Sequence, residues 1–239
     1  MISMAKCLII IPAFNEAGNI EKVVNNLIAN YPQYDYVIIN DGSTDSTKKI
    51  CAGNHYQVLN LPVNMGIGGA VQTGYRYARE NDYDMAVQID GDGQHDVGFL
   101  EDMFKLIESG QADVVIGSRF VEKAGFQSSQ VRRVGICFLS MLGWLLTGIR
   151  VKDITSGYRV VNRRFISIFA EDYPADYPEP EAMVIAAVYG GRIKEYPVIM
   201  QERENGESSI TLKKSVYYMV KVTLAMLIRR LSFGVRREK

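Results

Sequence analysis

Cysteine is scarce in this chain and never spaced for a metal or a redox pair: Cys7, Cys51 and Cys137 are the three in 239 residues, with no CxxC among them. An odd number, set among apolar or helical neighbours, reads most simply as a reduced, intracellular protein. Net charge is lacking as well, 27 bases against 27 acids, so the overall basic surplus of a nucleic-acid binder is absent and no nucleic-acid partner is expected. No apolar run reaches the roughly 20 residues of a transmembrane span. The opening MISMAKCLIIIPAFNE has an apolar run too short for a secretion signal and no small-residue cleavage site. It is expected to be the first strand. No repeat or low-complexity tract stands out.

What is present is a composition 47% hydrophobic, enough to bury one substantial α/β core with an appendage. The balanced charge hides an asymmetry. From Lys213 onward there are eight Lys or Arg and only Glu238, leaving 19 bases against 26 acids in the body. A mildly acidic body with a basic tail points to an anionic surface as partner. Strand-length apolar runs recur at Cys7 to Ile11, Tyr36 to Ile39, Gln57 to Leu61, Met85 to Ile89 and Asp113 to Gly117. Helical spacing lies between them at Ile20 to Ile28, Ala70 to Tyr77 and Phe99 to Ile107. Such alternation predicts parallel βαβ units with both sheet faces covered. Further helices are expected over Ser128 to Arg150, Phe165 to Ala170 and Glu181 to Tyr189, with a late strand in Arg192 to Met200 and a last helix from about Thr211. The expected domains are 1–210 and a basic amphipathic helix, 211–239.

In parallel sheets ligands bind beyond the carboxyl ends of the strands, which directs attention to PAFNE, NDGSTDS, NMGIGG, DGDGQH and SRF. In DGDGQH, Asp90 and Asp92 are two apart, so an extended backbone would put both carboxylates on one side with Gln94 in register behind them. Two carboxylates and an amide oxygen suit Mg²⁺ or Mn²⁺ with positions left for substrate phosphates. A solvated turn is the plain alternative. An EF-hand is excluded, because Gln94 and His95 stand at the fifth and sixth positions; His95 is expected to pack or support. Asp41 ends the second strand and can accept from a nucleobase N–H, while Ser43 or Thr44 can cap a helix beginning there. NMGIGGA is no dinucleotide fingerprint, since Val71 occupies the third glycine's place; Gly66, Gly68 and Gly69 still allow close backbone approach at a helix start.

Taken in order, PAFNE (Pro12 to Glu16), NDGS (Asn40 to Ser43), NMGIGGA (Asn64 to Ala70), DGDGQH (Asp90 to His95), GSRF (Gly117 to Phe120) and DITSGYR (Asp153 to Arg159) resemble family-two glycosyltransferases of the GT-A fold. Within that family the chain is similar to dolichyl-phosphate mannose synthases and related polyprenyl-phosphate hexose transferases. The resemblance covers about the first 160 residues, and RENGESS is similar to a later loop of the family. It implies an α/β fold with a mostly parallel central sheet flanked by helices. It further implies inverting transfer of a sugar from a nucleotide-diphosphate donor. By the same resemblance Pro12, Ala13, Glu16, Asp41, Gly68 and Asp90 would bind the donor, and Asp90, Asp92 and Gln94 the metal. Arg119, Arg132, Arg133 and Arg203 would face acceptor or donor phosphates, with Asp92, Arg119 and Arg133 counted as catalytic. The chain departs from the family at RRVGIC (Arg132 to Cys137), where a pattern like RRLISR is common, and at Asn40-Asp41, where two acids are usual.

A lipid phosphate, its second pKa near 6, attacks unaided, whereas a sugar hydroxyl needs a carboxylate base. YPEPEAM offers Glu179 and Glu181 at a helix start; Glu181 is the expected base, and Glu179 is read as complementing the helix dipole. The stretch Ser215 to Ile228, interrupted by Lys221 and flanked by Lys213, Lys214, Arg229 and Arg230, fits an interfacial helix on anionic lipid, with the helix through Trp144 alongside. Burial in a core, a homo-oligomer or a contact with a membrane-protein partner are the alternatives. The expected protein is thus a metal-dependent hexosyltransferase, peripheral on the inner face of the cell membrane, acting on a polyprenyl-linked acceptor. Transfer to a hydroxyl of a lipid-linked saccharide and a non-catalytic nucleotide-sugar-binding subunit stay open. A nucleotidyltransferase would begin with a glycine-rich, arginine-containing loop in place of PAFNE.

Overall fold

A computed structural model describes residues 5–122, 130–201 and 212–237. Its strands are β1 (Cys7–Ala13), β2 (Asp35–Asn40), β3 (Val58–Asn60), β4 (Met85–Gln88), β5 (Val114–Ser118), β6 (Arg159–Asn162) and β7 (Ile193–Pro197). They form one sheet in the order β3-β2-β1-β4-β6-β5-β7. Every neighbouring pair is parallel except those of β6, which runs antiparallel to β4 and β5. The helices are α1 (Ile20–Asn30), α2 (Thr47–Gly53), α3 (Gly66–Glu80), α4 (Leu100–Glu108), α5 (Gln130–Thr147), α6 (Arg163–Glu171), α7 (Pro178–Val188) and α8 (Leu212–Arg237).

The β1 sequence CLIIIPA is buried at every position, as a central parallel strand covered on both faces requires. Its alternation divides the core. Leu8 and Ile10 face α3, α6 and α7 through Val71, Tyr75, Phe165 and Ile185, while Ile9 and Ile11 face α1 and α4 through Val24, Leu27, Leu100 and Phe104. Val222 and Met226 of α8 belong to the first of these cores, so the helix set apart from the sequence at residue 211 shares the interior of the body. Close approach depends on glycine at two places in α3. A Cβ on Gly74 would lie 2.2 Å from Ile10 Cγ2, and one on Gly68 would lie 1.9 Å from the Pro174 carbonyl oxygen.

Two local expectations change. The strand β6 was not anticipated, because four residues (RVVN) carry too little period to distinguish from a loop. The helix α2 starts at Thr47 instead of following a cap at Ser43 or Thr44. Asp45 Oδ1 accepts from Thr47 N at 2.9 Å, and Thr44 N is drawn away to Asn15 Oδ1 at 2.8 Å.

At the end of the sheet opposite the strand carboxyl termini, Asp113 ties three strands together. Its carboxylate accepts from Arg192 Nε and Nη2, each at 2.9 Å, from Arg192 N at 2.8 Å and from Asn162 Nδ2 at 2.8 Å. The Arg192 hydrogen bonds hold this carboxyl down to about 2, against the opposing effect of burial. A depressed folded-state pKa contributes stability that is present above the unfolded carboxylate pKa and lost as pH falls through the folded one. Asp113→Asn is therefore expected to cost about 2 kcal/mol in urea unfolding at pH 7, with the gap to wild type closing between about pH 4 and pH 2. Gly68→Ala forces a Cβ into backbone, and the expected loss is about 1–3 kcal/mol by the same measurement.

Candidate functional site

The carboxyl ends of β1, β2, β4 and β5 and the amino end of antiparallel β6 meet at one rim. There the loops after β1 and β2 are clasped by Asn15, whose φ of 58° is in the left-handed region that asparagine tolerates. Asn15 N donates to Ser43 Oγ at 3.0 Å, and Ala17 N donates to Asp45 Oδ2 at 3.1 Å. Pro12 and Ala13 are buried strand residues, and the Ala13 carbonyl accepts from Asp41 N at 2.9 Å. Glu16 is half-buried at the start of α1, where its Oε2 accepts from Asn19 Nδ2 at 2.8 Å. Asp41 is 3% exposed, with Oδ1 accepting from Met65 N at 2.7 Å just before α3. The close approach foreseen at Gly68 is made by the chain itself, for Gly68 N donates to Ala175 O at 3.1 Å and the missing Cβ makes room for Pro174.

Asp90 and Asp92 are delivered by a turn, not by an extended strand. β4 stops at Gln88, Gly91 and Asp92 form the turn, and Gly93 has a φ of 78°. The Asp90 carboxylate is 36% exposed. It accepts from Gln88 Nε2 at 3.1 Å and lies beside Gly157, where a Cβ would stand 3.6 Å from both its oxygens. Asp92 is 8% exposed, receives Gln94 N at 3.0 Å and lines a cleft with Asn19, Asn26, His95 and Gln201. Gln94 reaches Gln201 O through Nε2 at 3.3 Å. His95 is a support: it stacks on Tyr158 at 4.8 Å and takes the Asp90 backbone N–H on Nδ1 at 3.1 Å, which puts the imidazole proton on Nε2, 3.7 Å from Asp90 Oδ2. Among the described residues no three His, Cys, Asp or Glu side chains close around a metal. Mg²⁺ commonly takes only one or two carboxylates and completes its shell with substrate phosphates and water. Asp90, half open beside a glycine, and Asp92 on the same turn fit that donor set.

The arginines divide. Arg119, expected to face a phosphate, is 7% exposed and makes a fork with Asp153, Nε to Oδ2 and Nη2 to Oδ1 both at 2.7 Å. Its charge is neutralised inside the protein. Arg133 lies over the Phe120 ring at 5.6 Å. Arg132 keeps solvent contact but is drawn below the usual arginine range, first by partial loss of hydration and then by Arg119. Arg203 lies outside the described residues. Glu181, the expected base, accepts from Arg229 Nε at 2.9 Å, and Arg229 also binds Asp172 at 2.8 Å. Glu179 differs: burial raises its pKa, and Arg159, Asp90 and Arg132 act on it electrostatically. Of the two glutamates, it is Glu179 that shares the surroundings of Asp90.

Four residues not singled out from the sequence shape this rim. Asn15 gave no signal beyond its place in PAFNE. Asp153 and Arg159 stood within DITSGYR, yet nothing local foretold that Asp153 would be fully buried against Arg119, or that Arg159, 2% exposed, would hold the carbonyls of Ser156 at 2.8 Å and Ile154 at 2.7 Å. Tyr173 precedes the YPEPEAM segment by four residues without belonging to it, and packs edge-on against Tyr75 at 5.4 Å.

The comparisons with known proteins agree with this geometry. The chain is 29% identical over 215 residues to an undecaprenyl-phosphate mannosyltransferase of Micrococcus luteus, covering 86% of this chain and 88% of that one. It is 32% identical over 210 residues to a UDP-N-acetylglucosamine–dolichyl-phosphate N-acetylglucosaminyltransferase of Methanococcus voltae, covering 80% and 83%. Among solved structures, glucosyl-3-phosphoglycerate synthase of Mycobacterium tuberculosis with Mn²⁺, UDP and phosphoglyceric acid superposes with a TM-score of 0.73 at 18% identity, over 95% of this chain and 79% of that one. That likeness shows the GT-A fold: an α/β domain whose mostly parallel central sheet is flanked by helices. Residues 8–168 match the model of glycosyl transferase family 2, and with these motifs on one rim the chain belongs to that family and is a glycosyltransferase.

Proposed function

We propose that the protein moves a hexose from a nucleoside-diphosphate sugar to a polyprenyl phosphate at a membrane surface, with inversion at the anomeric carbon and with Mg²⁺ or Mn²⁺ held by Asp90 and Asp92. The observation that carries this reading is the convergence on one rim of Asp41, Asp90, Asp92, Arg132 and Glu179, on a family-two chain whose curated relatives are named for undecaprenyl- and dolichyl-phosphate transfer. When bound, the cation would neutralise the diphosphate that departs. Asp41 binds the nucleoside at the far side of β1. Arg132 and Arg133, at the start of α5, attract the acceptor phosphate. A phosphate oxygen attacks the anomeric carbon as the bond to the diphosphate breaks, and the electron pair leaves with the diphosphate. No base is required, since that phosphate is already largely ionised. Transfer to a sugar hydroxyl would require one; Glu181, the expected base, is held by Arg229, which leaves Glu179 as the carboxyl for that second reading.

The lipid side of the reading rests on α5 and α8. Val134, Phe138, Met141 and Leu145 line the outside of α5, and Tyr217, Val220, Leu224, Ile228 and Leu231 the outside of α8, all exposed. Both sets recur at helical spacing and so form continuous apolar stripes. Of the bases expected to reach for anionic lipid, Arg229 pairs with Asp172 and Glu181, Arg230 with the Leu146 carbonyl and Lys221 with Asp176, while the side chains of Lys213 and Lys214 lie outside those described. The apolar stripes therefore offer a means of attachment besides the electrostatic one expected from composition. Among the described residues no helix is long and apolar enough to cross a membrane, which fits a helix lying in the interface.

With Mn²⁺ and a detergent-dispersed polyprenyl phosphate, hexosyl transfer is expected to be abolished by EDTA, restored by Mn²⁺, and lowered at least about 100-fold in Asp90→Ala and Asp92→Ala. Nucleotide release that proceeds equally in wild type and Asp92→Ala would defeat the metal assignment, and absence of any release would favour a binding subunit. In vesicle flotation, Val220→Asp, Leu224→Asp and Ile228→Asp are each expected to reduce binding at least about tenfold with unchanged circular dichroism, and the wild type to stay bound in high salt.

A further inference from the structure

Among the described residues two polar side-chain atoms are buried without a hydrogen-bond partner, Gln88 Oε1 and the Tyr173 hydroxyl. Gln88 is 1% exposed and Tyr173 8%. Such atoms are uncommon in folded proteins, and each destabilises the fold while unsatisfied. Both belong to the surroundings of Asp90. Gln88 ends β4, opposite Arg159 of β6, and its Nε2 donates to Asp90 Oδ1 at 3.1 Å. Gly157 lies against this amide, since a Cβ there would come within 2.9 Å of Gln88 Nε2. Tyr173 is fixed by Tyr75 and Phe169, with ring centroids at 5.4 and 5.2 Å. Its hydroxyl feels Arg159, Glu179 and Asp90 electrostatically, after the effects of burial and Tyr75.

The chemistry of the two atoms limits what completes them. Gln88 Oε1 only accepts, so its partner must donate. An ionised diphosphate carries no donor. A nucleobase is placed by Asp41 at the end of β2, which β1 separates from β4, roughly 9–10 Å away at two strand spacings. A hexose remains: its hydroxyls both donate and accept. We infer that Gln88 and Tyr173 form the pair that reads hydroxyls of the transferred hexose beside Asp90, and so set which sugar is accepted. The inference rests on the donor reading above and names the residues that distinguish a nucleotide sugar from its bare nucleotide.

Tyr173→Phe removes the hydroxyl alone and tests this by calorimetry with Mn²⁺. The probes are UDP-glucose, GDP-mannose and dTDP-glucose, each beside UDP, GDP or dTDP. For the donor that wild type binds, the variant is expected to lose about tenfold in affinity, about 1.4 kcal/mol, with the matching nucleoside diphosphate bound as before. The ligand-free variant should melt at or above the wild-type temperature, because an orphaned hydroxyl has been removed. Among monodeoxy analogues of that donor, one should bind wild type and variant equally. A lowered melting temperature of the ligand-free variant would show that the hydroxyl serves the resting fold, through an ordered water, and would overturn the inference. Equal loss for donor and nucleotide, or no loss, would overturn it while leaving the donor reading intact. Failure of wild type to bind any of the six probes would overturn the donor reading and the inference with it.

Discussion

The fork between Arg119 and Asp153 is the contact on which the site's architecture turns. Both charges are nearly excluded from water, with side-chain exposures of 8% and 0%. In such a setting removal of one partner leaves an uncompensated buried charge, a change that costs about 3–5 kcal/mol. The fork joins the end of β5 to the segment leading into β6. Glu195 on β7 secures the same segment by accepting from Lys152 N at 2.8 Å and Asp153 N at 2.9 Å. With Asp153 fixed, Ser156, Gly157 and Tyr158 are carried to the Asp90 side of the rim. Gly157 then meets Gln88 and Asp90, and Tyr158 becomes the platform for His95.

An antiparallel strand makes this possible. In a purely parallel sheet every strand would present its carboxyl end to the ligand side. Because β6 runs the other way, its amino-terminal approach arrives there instead, and Arg159 comes to lie in register with Gln88. The fully buried guanidinium holds the Ile154 and Ser156 carbonyls and supplies positive charge near Glu179 and Tyr173. Asp90 and Glu179 thereby lie within the electrostatic reach of a fixed guanidinium, a suitable setting for a reaction in which a diphosphate leaves with its electron pair.

The C-terminal helix joins the same arrangement from outside. Tyr218 meets Tyr177 edge-on at 4.7 Å, Lys221 pairs with Asp176, and Arg229 pairs with Asp172 and Glu181. Its contacts therefore fall along the segment that carries Tyr173 and Glu179. The apolar stripe outside α8 and the polar wall of the site are two faces of one packed unit. A hydrophobic acceptor tail and a charged phosphate head could thus be met by adjoining surfaces.

Periodicity and local chemistry made much of this legible in advance. The continuous apolar runs of β1, β2, β4 and β5, alternating with amphipathic helices, dictate a parallel sheet whichever partners are chosen, because such strands must be covered on both faces. That in turn placed PAFNE, NDGS and DGDGQH on a common rim. Which charges would neutralise one another was not written there. Arg119 and Asp153 are 34 residues apart and Glu181 and Arg229 are 48 apart, and a charged side chain chooses between solvent, ligand and partner only once folding has brought its neighbours into place. The same holds for Tyr173 and Gln88, whose orphaned atoms exist only because tertiary packing removed water from them. Sequence by itself determined the parallel strands and the acidic rim, through hydrophobic period and the chemistry of the loop residues; tertiary structure alone decided the antiparallel β6 and which arginines and glutamates were bound within the protein, because pairing and desolvation depend on distances the linear order does not contain.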